Sequence, residues 1–298
     1  MSRKFVYDIA PEFSGFSIQN YLKNEHSYST KLIKSIKKTD NGILKNGLRA
    51  FTTHILNTGD ILEINIDDKV SENIVPIKLE FNIVYEDTDI MVIDKPPHMP
   101  THPSMDNYTN SLANGIMYYF KEHGIKSAFH AVNRLDKDTS GLLVIAKNPY
   151  AHARLSDMLH TSEFGREYIC LVHGRLDCMG TVDAPIRRED ESAIKRCVAP
   201  DGQRAITHYE PILHCGNCTL LKIILETGRT HQIRVHMAYI NHPLVGDFLY
   251  GDEEREFAPR HMLHSSKVKI IHPVTGKRLE FEAKMPNDMN KIIEKLKN

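Results

Sequence analysis

Apolar residues recur at helical spacing twice near the start of the chain, as Ile18, Tyr21 and Leu22 and again as Leu32, Ile33 and Ile36. Recurrence at i, i+3 and i+4 predicts amphipathic helices. The segment Ile61-Leu62-Glu63-Ile64-Asn65-Ile66 largely alternates instead, as a half-buried strand does. The opening stretch therefore reads as two short helices followed by a small sheet. Beyond residue 75, β-rich runs at 81–85, 90–93, 142–147, 168–173 and 220–225 are interspersed with helical patterns. One helix shows Leu112, Ile116 and Phe120 at spacing four, and a second follows Asn148-Pro149, a cap residue with proline in the first turn. A third is predicted to start after Thr230. This mixture implies an α+β or α/β chain. The longest apolar runs, such as 142–146 and 223–225, fall far short of the roughly 20 residues that a bilayer span needs. An integral membrane protein is therefore not expected.

Charge divides the chain where the pattern does. Lys+Arg and Asp+Glu both number 38, so no global pull toward a polyanion exists and any such site must be local. From residue 23 to 49 seven cations stand against two acids. Next come Asp60, Glu63, Asp67, Asp68 and Glu72, with Lys69 alone opposing them. That segregation places a candidate boundary near residue 75, and 298 residues leave room for two domains of unequal size. The row Lys31, Lys34, Lys37 and Lys38 fits a solvated helix face or a nucleic-acid contact, and charge alone does not separate the two. Hydrophobic residues at 41% and charged ones at 26% suit a globular chain with a sizeable core. Five unevenly spaced cysteines disfavour a disulfide framework and suit reducing conditions. Residues 1–13 carry Asp8 and Glu12 and lack the apolar stretch of a secretory signal, so a cytoplasmic protein is expected.

Several chemistries lose their usual support. No two of the 16 glycines are separated by a single residue, so the dinucleotide-binding fingerprint cannot occur, and no Walker loop closes on Gly-Lys-Ser/Thr. A nucleotide cofactor is not expected. Cys215-Gly216-Asn217-Cys218 has no partner pair for a zinc site, and Cys170, Cys178 and Cys197 are widely spaced. His231 and His236 stand five apart, about 140° round a helix, and so cannot face one metal together. No metal site is predicted. Thr139-Ser140-Gly141 is not the nucleophile elbow of a serine hydrolase.

Two polar segments are unusually dense between apolar strands. The first runs Asn133-Arg134-Leu135-Asp136-Lys137-Asp138-Thr139-Ser140-Gly141-Leu142-Leu143 and sets two carboxylates and two cations just before a buried-looking strand. The second runs Thr227-Gly228-Arg229-Thr230-His231-Gln232-Ile233-Arg234-Val235-His236, a glycine turn feeding a helix rich in Arg and His at its start. Between them lies Arg166-Glu167-Tyr168-Ile169-Cys170-Leu171-Val172-His173-Gly174.

In this order the three segments resemble the RluA-type pseudouridine synthases, which carry Arg-Leu-Asp-x-x-Thr-Ser-Gly-Leu, Tyr-x-x-Leu-Val-x-Gly and Gly-Arg-x-His-Gln-Ile-Arg-x-His. Flanking pieces are similar too, among them Lys95-Pro96, Gly246-Asp247 with Tyr250, and His272-Pro273. The resemblance covers roughly residues 80 to 286. It implies an α+β fold, in which the mixed, largely antiparallel sheet of a catalytic domain (76–298) follows a small S4-like RNA-binding α+β domain (1–75). That smaller domain is matched by Tyr28-Ser29, by residues 43–47 and by Thr58-Gly59-Asp60. It departs where Ser17-Ile18-Gln19 replaces the usual Arg-Leu-Asp, and where Thr30-Lys31 replaces an Arg.

The resemblance further implies that uridine in RNA is isomerised without a cofactor: the N1 glycosidic bond breaks, the uracil turns and it rejoins through C5. Asp136 matches the catalytic aspartate, as nucleophile at the sugar or as a proton-abstracting base. A carboxylate kept ionised in an apolar pocket needs a close cation, and Arg234 holds that family position. Tyr168 matches the active-site tyrosine, whose ring can pack against uracil. Flipping the base leaves a gap that Arg134 is expected to fill. Arg229 and His231 are candidates for phosphate or pocket contacts at a helix start, and Lys31, Lys34 and Lys38 for RNA contacts of the small domain. Asp138 is read as capping and turning its loop. Asn133 stands where the family commonly has His, and His98 where Gly is usual, which bears on loop shape and substrate choice. Large-subunit ribosomal RNA is the expected partner, with transfer RNA as the alternative substrate and an idle RNA binder for ribosome assembly as the rival class. A monomer is expected.

Overall fold

A computed structural model describes residues 3–68, 70–71, 73–104, 107–159, 161–190, 193–251 and 257–297. Lys69 and Glu72 of the acidic run lie outside them. The chain begins β1 (Arg3–Asp8), α1 (Ile18–Asn24), α2 (Thr30–Ile36), β2 (Ile43–Lys45), β3 (Leu48–Arg49) and β4 (Ile61–Ile66). Both helices start on a serine, Ser17 and Ser29, whose hydroxyl accepts a backbone N–H in the first turn. Ile18, Tyr21, Leu22, Leu32, Ile33 and Ile36 are all buried against an antiparallel sheet of order β1-β4-β2-β3. The helical and alternating patterns of the sequence thus meet as the two layers of one small core.

The rest continues as β5 (Asn82–Glu86), β6 (Ile90–Lys95), α3 (Leu112–Glu122), β7 (His130–Ala131), β8 (Ser140–Ala146), α4 (Pro149–Met158), β9 (Phe164–His173) and β10 (Gly180–Asp183). It ends with β11 (Ile186–Arg188), β12 (Arg196–Val198), β13 (Ile206–Cys215), β14 (Cys218–Leu225), α5 (Gln232–Tyr239), β15 (Leu263–Ile271), β16 (Arg278–Glu282) and α6 (Asn287–Lys297). A ten-stranded sheet of order β10-β13-β14-β9-β15-β8-β6-β5 forms the frame, with β16 added to β15 and β7 to β8. Every pairing is antiparallel except β15 with β8. The fold is α+β with a mixed, largely antiparallel sheet, as the sequence implies. No described helix is long and apolar enough to cross a membrane.

β8 sits centrally with all seven residues buried, which explains why its sequence is a continuous apolar run rather than an alternation. Fully burying each of Leu142, Leu143, Val144 and Ile145 contributes on the order of 2 kcal/mol. Gly141, second in the strand, has φ +106°, and a Cβ there would lie 2.2 Å from the Ser265 carbonyl, so the one parallel pairing needs glycine. α3 begins on a Ser111–Asn114 capping box, and α4 on Asn148 followed by proline, as its sequence predicts.

The small N-terminal layer is tied to the larger sheet. Arg3 pairs with Asp89 at 2.9 Å, and Phe5 and Tyr28 pack on Tyr150 with ring centroids 4.8 and 4.9 Å away. Asp68 accepts hydrogen bonds from the Ala128 N–H and the Ser127 hydroxyl, and pairs with His130 Nε2 at 2.8 Å.

Candidate active site

The loop joining β7 to β8 carries Arg134 and Asp136, and the surrounding elements fix its backbone from several sides. Thr101 Oγ1 donates to the Leu135 carbonyl at 2.8 Å. Lys95, fully buried at the end of β6, donates to the carbonyls of Pro96, Met99 and Lys137. Burial pushes its ammonium down to about 7, yet three carbonyl acceptors match its three protons, which favours the charged form. Arg260, also fully buried, donates to the Asp138 carbonyl at 2.9 Å and is itself clamped by Asp288 at the start of α6. Thr139 shares a hydrogen bond with His261, and Ser140 with His264. Burial keeps both imidazoles neutral, His261 well below its ordinary pKa and His264 down to about 4. A loop so held presents its side chains at set positions, which preorganised catalysis requires.

α5 supplies the counter-charge. The Arg234 guanidinium forks onto Asp247, Nε to Oδ2 at 2.7 Å and Nη2 to Oδ1 at 2.8 Å, and turns Nη1 toward Asp136 Oδ2 at 3.4 Å. Asp247 has no exposed side-chain surface and also accepts the N–H groups of Leu249 and Tyr250. Burial opposes the charge on Arg234, but the Asp247 carboxylate outweighs it and holds the pKa above the ordinary value. The Tyr250 ring lies 5.0 Å from the guanidinium carbon. Its hydroxyl accepts the Arg196 N–H and meets His231 Nδ1 at 2.8 Å. That hydroxyl can then donate to Nδ1, which leaves the His231 Nε2 proton facing Asp136 Oδ2 at 3.8 Å. Burial lowers the pKa of His231, consistent with a neutral ring.

Tyr168 stands on β9, buried, with its phenol pushed up by burial and therefore protonated. Together these elements enclose a cavity of about 300 Å³, at the small end of ligand-site volumes. Asp136, Tyr168, Arg234, Arg134, Arg229 and His231 all line it. Six residues from three distant stretches of sequence thus line one cavity. Arg134 is exposed at its edge, and Arg229 holds the Arg204 carbonyl through Nε at 3.0 Å. Lys31, Lys34 and Lys38 stand apart from the cavity, exposed on and just beyond α2. Asp138 is not in the lining and pairs with His98 Nδ1 at 2.8 Å.

Sequence reasoning left out Asp247, Tyr250 and Arg260 as parts of the site. A signal existed for Asp247, since a charged residue ending the apolar stretch at 243–247 needs a buried partner. Arg260 sits within no patterned segment and could be recognised only through its partners. Among the described residues, Asp87, Asp89 and His272 have the chemistry to hold a cation. Their ligand atoms are already engaged with one another and with Tyr85, Arg3, Asn148 and the backbone N–H groups of Asp89 and Ile90. Cys215 and Cys218 face each other across the β13–β14 turn inside a hydrophobic cluster.

Comparison with known proteins places the chain in a family. The family model described as RNA pseudouridylate synthase covers residues 89–239, which hold Asp136, Tyr168 and Arg234. The uncharacterized RNA pseudouridine synthase YjbO of Bacillus subtilis is 40% identical over 91% of this chain and 96% of its own. The ribosomal large subunit pseudouridine synthase D of Yersinia pestis is 38% identical over 80% of this chain and 78% of its own. The solved structure of human RNA pseudouridylate synthase domain containing 1 shares the fold, with a TM-score of 0.56 over 73% of this chain and 94% of its own at 22% identity. The chain belongs to the RluA-type RNA pseudouridine synthases, enzymes that isomerise uridine in RNA.

Proposed function

We propose that this enzyme modifies uridines of large-subunit ribosomal RNA, with Asp136 as its catalytic carboxylate. The observation that carries the reading is the Asp136 carboxylate 3.4 Å from the Arg234 guanidinium, in a cavity also lined by Arg134 and Arg229. An ionised carboxylate among cations suits a polyanionic substrate whose reacting centre is a sugar carbon. The relative from Yersinia pestis named for the large ribosomal subunit supports ribosomal RNA as the target.

In this reading RNA docks by its phosphates and one uridine turns into the cavity, with Arg134 occupying the vacated stack. Asp136 acts at the sugar, as nucleophile or as base. The N1–C1′ bond breaks with its electron pair on the base. C5 then bonds to C1′, the C5 proton is lost and N1 takes one up, so the product is an isomer. Tyr168 packs against the uracil, and its neutral hydroxyl provides a hydrogen-bond donor. Arg234, anchored by Asp247, sets a fixed positive charge beside the Asp136 carboxylate. All of these groups come from one chain, which suits a monomer, and the five free thiols suit the cytoplasm. The test is to map pseudouridine in cells with and without the protein. Loss of specific sites in large-subunit ribosomal RNA is expected, and loss only in transfer RNA would refute the target.

Residues 1–75 act in this reading as an S4-like RNA-binding domain. Lys31, Lys34, Lys37 and Lys38 are exposed on or just beyond α2 and form no ion pair among the described residues. Replacing Lys31, Lys34 and Lys38 together by alanine is expected to weaken RNA affinity and flatten its dependence on the logarithm of salt by about 2, since each phosphate contact contributes roughly 0.7 to 0.9. Binding measured from low to moderate salt checks this, and an unchanged slope would mark the lysines as a solvated face.

A further inference from the structure

The buried cations around the active-site loop fall into two kinds. Lys95 meets three carbonyls, Arg234 meets Asp247 and Asp136, and Arg260 meets Asp288, Ser140 and several carbonyls. Arg166 has none of this. It is 7% exposed and lines the same cavity, and its side chain makes no hydrogen bond or ion pair with any described residue. Its Nε is buried without an acceptor.

Its position is nonetheless set. Arg166 lies two residues before Tyr168 on β9, so both side chains emerge on the same face, roughly 7 Å apart along the strand. The guanidinium carbon stands 6.0 Å from the Phe164 ring centroid. A Cβ added to Gly228 would come within 2.6 Å of Nη1, so the group is wedged between β9 and the turn that feeds α5. A guanidinium held against a cavity with no protein acceptor leaves its donors to a ligand that brings one.

We propose that Arg166 receives the carbonyl edge of the flipped uracil and stabilises the charge that gathers there as the glycosidic bond breaks. This rests on the reading of the reaction given above. A continuous RNA chain must enter and leave the site, so its phosphates stay at the rim, where Arg134 is exposed. The base alone reaches a residue buried as deeply as Arg166. Uracil presents carbonyl oxygens at C2 and C4. When the N1–C1′ electron pair remains on the base, its charge spreads over N1 and those oxygens, and a fixed two-nitrogen donor meets it without reorganising. Such a contact strengthens as charge develops, so it acts on the rate of conversion more than on affinity.

The experiment compares wild-type, Arg166→Met and Arg166→Lys protein on large-subunit ribosomal RNA labelled with tritium at uridine C5, measuring single-turnover rate, RNA affinity and thermal midpoint. For Arg166→Met we expect a rate about 100-fold lower with affinity within about threefold, because a lost donor to a developing anion costs about that much. The midpoint should be unchanged or higher, since an unpaired buried charge has been removed, and added guanidinium ions should restore part of the rate. Affinity falling in step with the rate, together with a flatter salt dependence, would place Arg166 on a phosphate and overturn the assignment. A wild-type rate in Arg166→Met would overturn it too, as would a lowered midpoint with no rescue by guanidinium. Should the Met variant not fold, Arg166→Lys decides, with a roughly tenfold slower rate at unchanged affinity in favour and an unchanged rate against. A wild-type protein that converts no uridine would instead strike the reaction on which the assignment rests.

Discussion

Asp136→Asn is expected to abolish turnover, by at least about four orders of magnitude, while RNA affinity stays within a few fold. The substitution keeps the shape of the side chain and removes only its charge and basicity. Arg234 does not depend on Asp136 for its place, because Asp247 already holds it through two bonds at 2.7 and 2.8 Å. The loop around position 136 is fixed by Thr101, Lys95 and Arg260 through backbone carbonyls, which the substitution leaves alone. Stability should therefore change by less than about 1 kcal/mol, as expected for a partly exposed ion pair. A dead enzyme that folds and binds normally is the signature of a group acting in the chemical step. Single-turnover rates and binding isotherms on one preparation separate these quantities, and residual activity near the wild-type rate would remove Asp136 from its role.

Arg234→Met should damage both folding and function. It leaves the Asp247 carboxylate in the interior with no counter-cation, and breaking a buried pair from one side costs about 3 to 5 kcal/mol. It also takes from Asp136 its neighbouring guanidinium, 3.4 Å away. A second substitution separates the two effects. Asp247→Asn added to Arg234→Met removes the stranded charge while keeping an acceptor for the Leu249 and Tyr250 N–H groups. The pair should recover most of the lost stability and none of the activity. Denaturation midpoints and turnover of the single and double variants check this, and activity returning with stability would show that Arg234 only holds the fold. Arg234→Lys should fall between, since an ammonium cannot make the bidentate contact.

How much of this could be read beforehand depends on how each element is stabilised. α1, α2 and β4 were legible because one face of each is apolar at its own period, and the helices carry serine caps. β9 was anticipated only from Tyr168 onward, although it begins at Phe164. Arg166 occupies an inward position there, and a buried cation reads as a surface residue. The short strands β10, β11 and β12 expose much of their length and leave little apolar pattern. β15, β16 and α6 were not anticipated either. Lys267 and Lys269 interrupt β15, and apart from its neighbour β16 its pairing partners lie about 100 residues away on β9 and about 125 away on β8.

The site divides along the same line. Asp136, Tyr168 and Arg234 were reachable because each sits in a dense, ordered motif. Of the residues that hold them, Asp247 left only the trace of a charge ending an apolar stretch and Arg260 left none, because their contacts exist only after the chain has folded. His231 illustrates the difference. Its spacing from His236 excluded a shared metal, but its role as a bridge from Tyr250 to Asp136 depends on a left-handed backbone, φ 58°, at the start of α5.

The measurement that bears most directly on the account is release of tritium from RNA labelled at uridine C5, run in parallel on large-subunit ribosomal RNA and transfer RNA with Asp136→Asn as control. Formation of the C5–C1′ bond must expel the C5 hydrogen, so the account predicts release from the ribosomal RNA by the wild-type protein and none by the variant. Equal release by Asp136→Asn, or no release from any RNA under conditions where the protein binds it, would contradict the account.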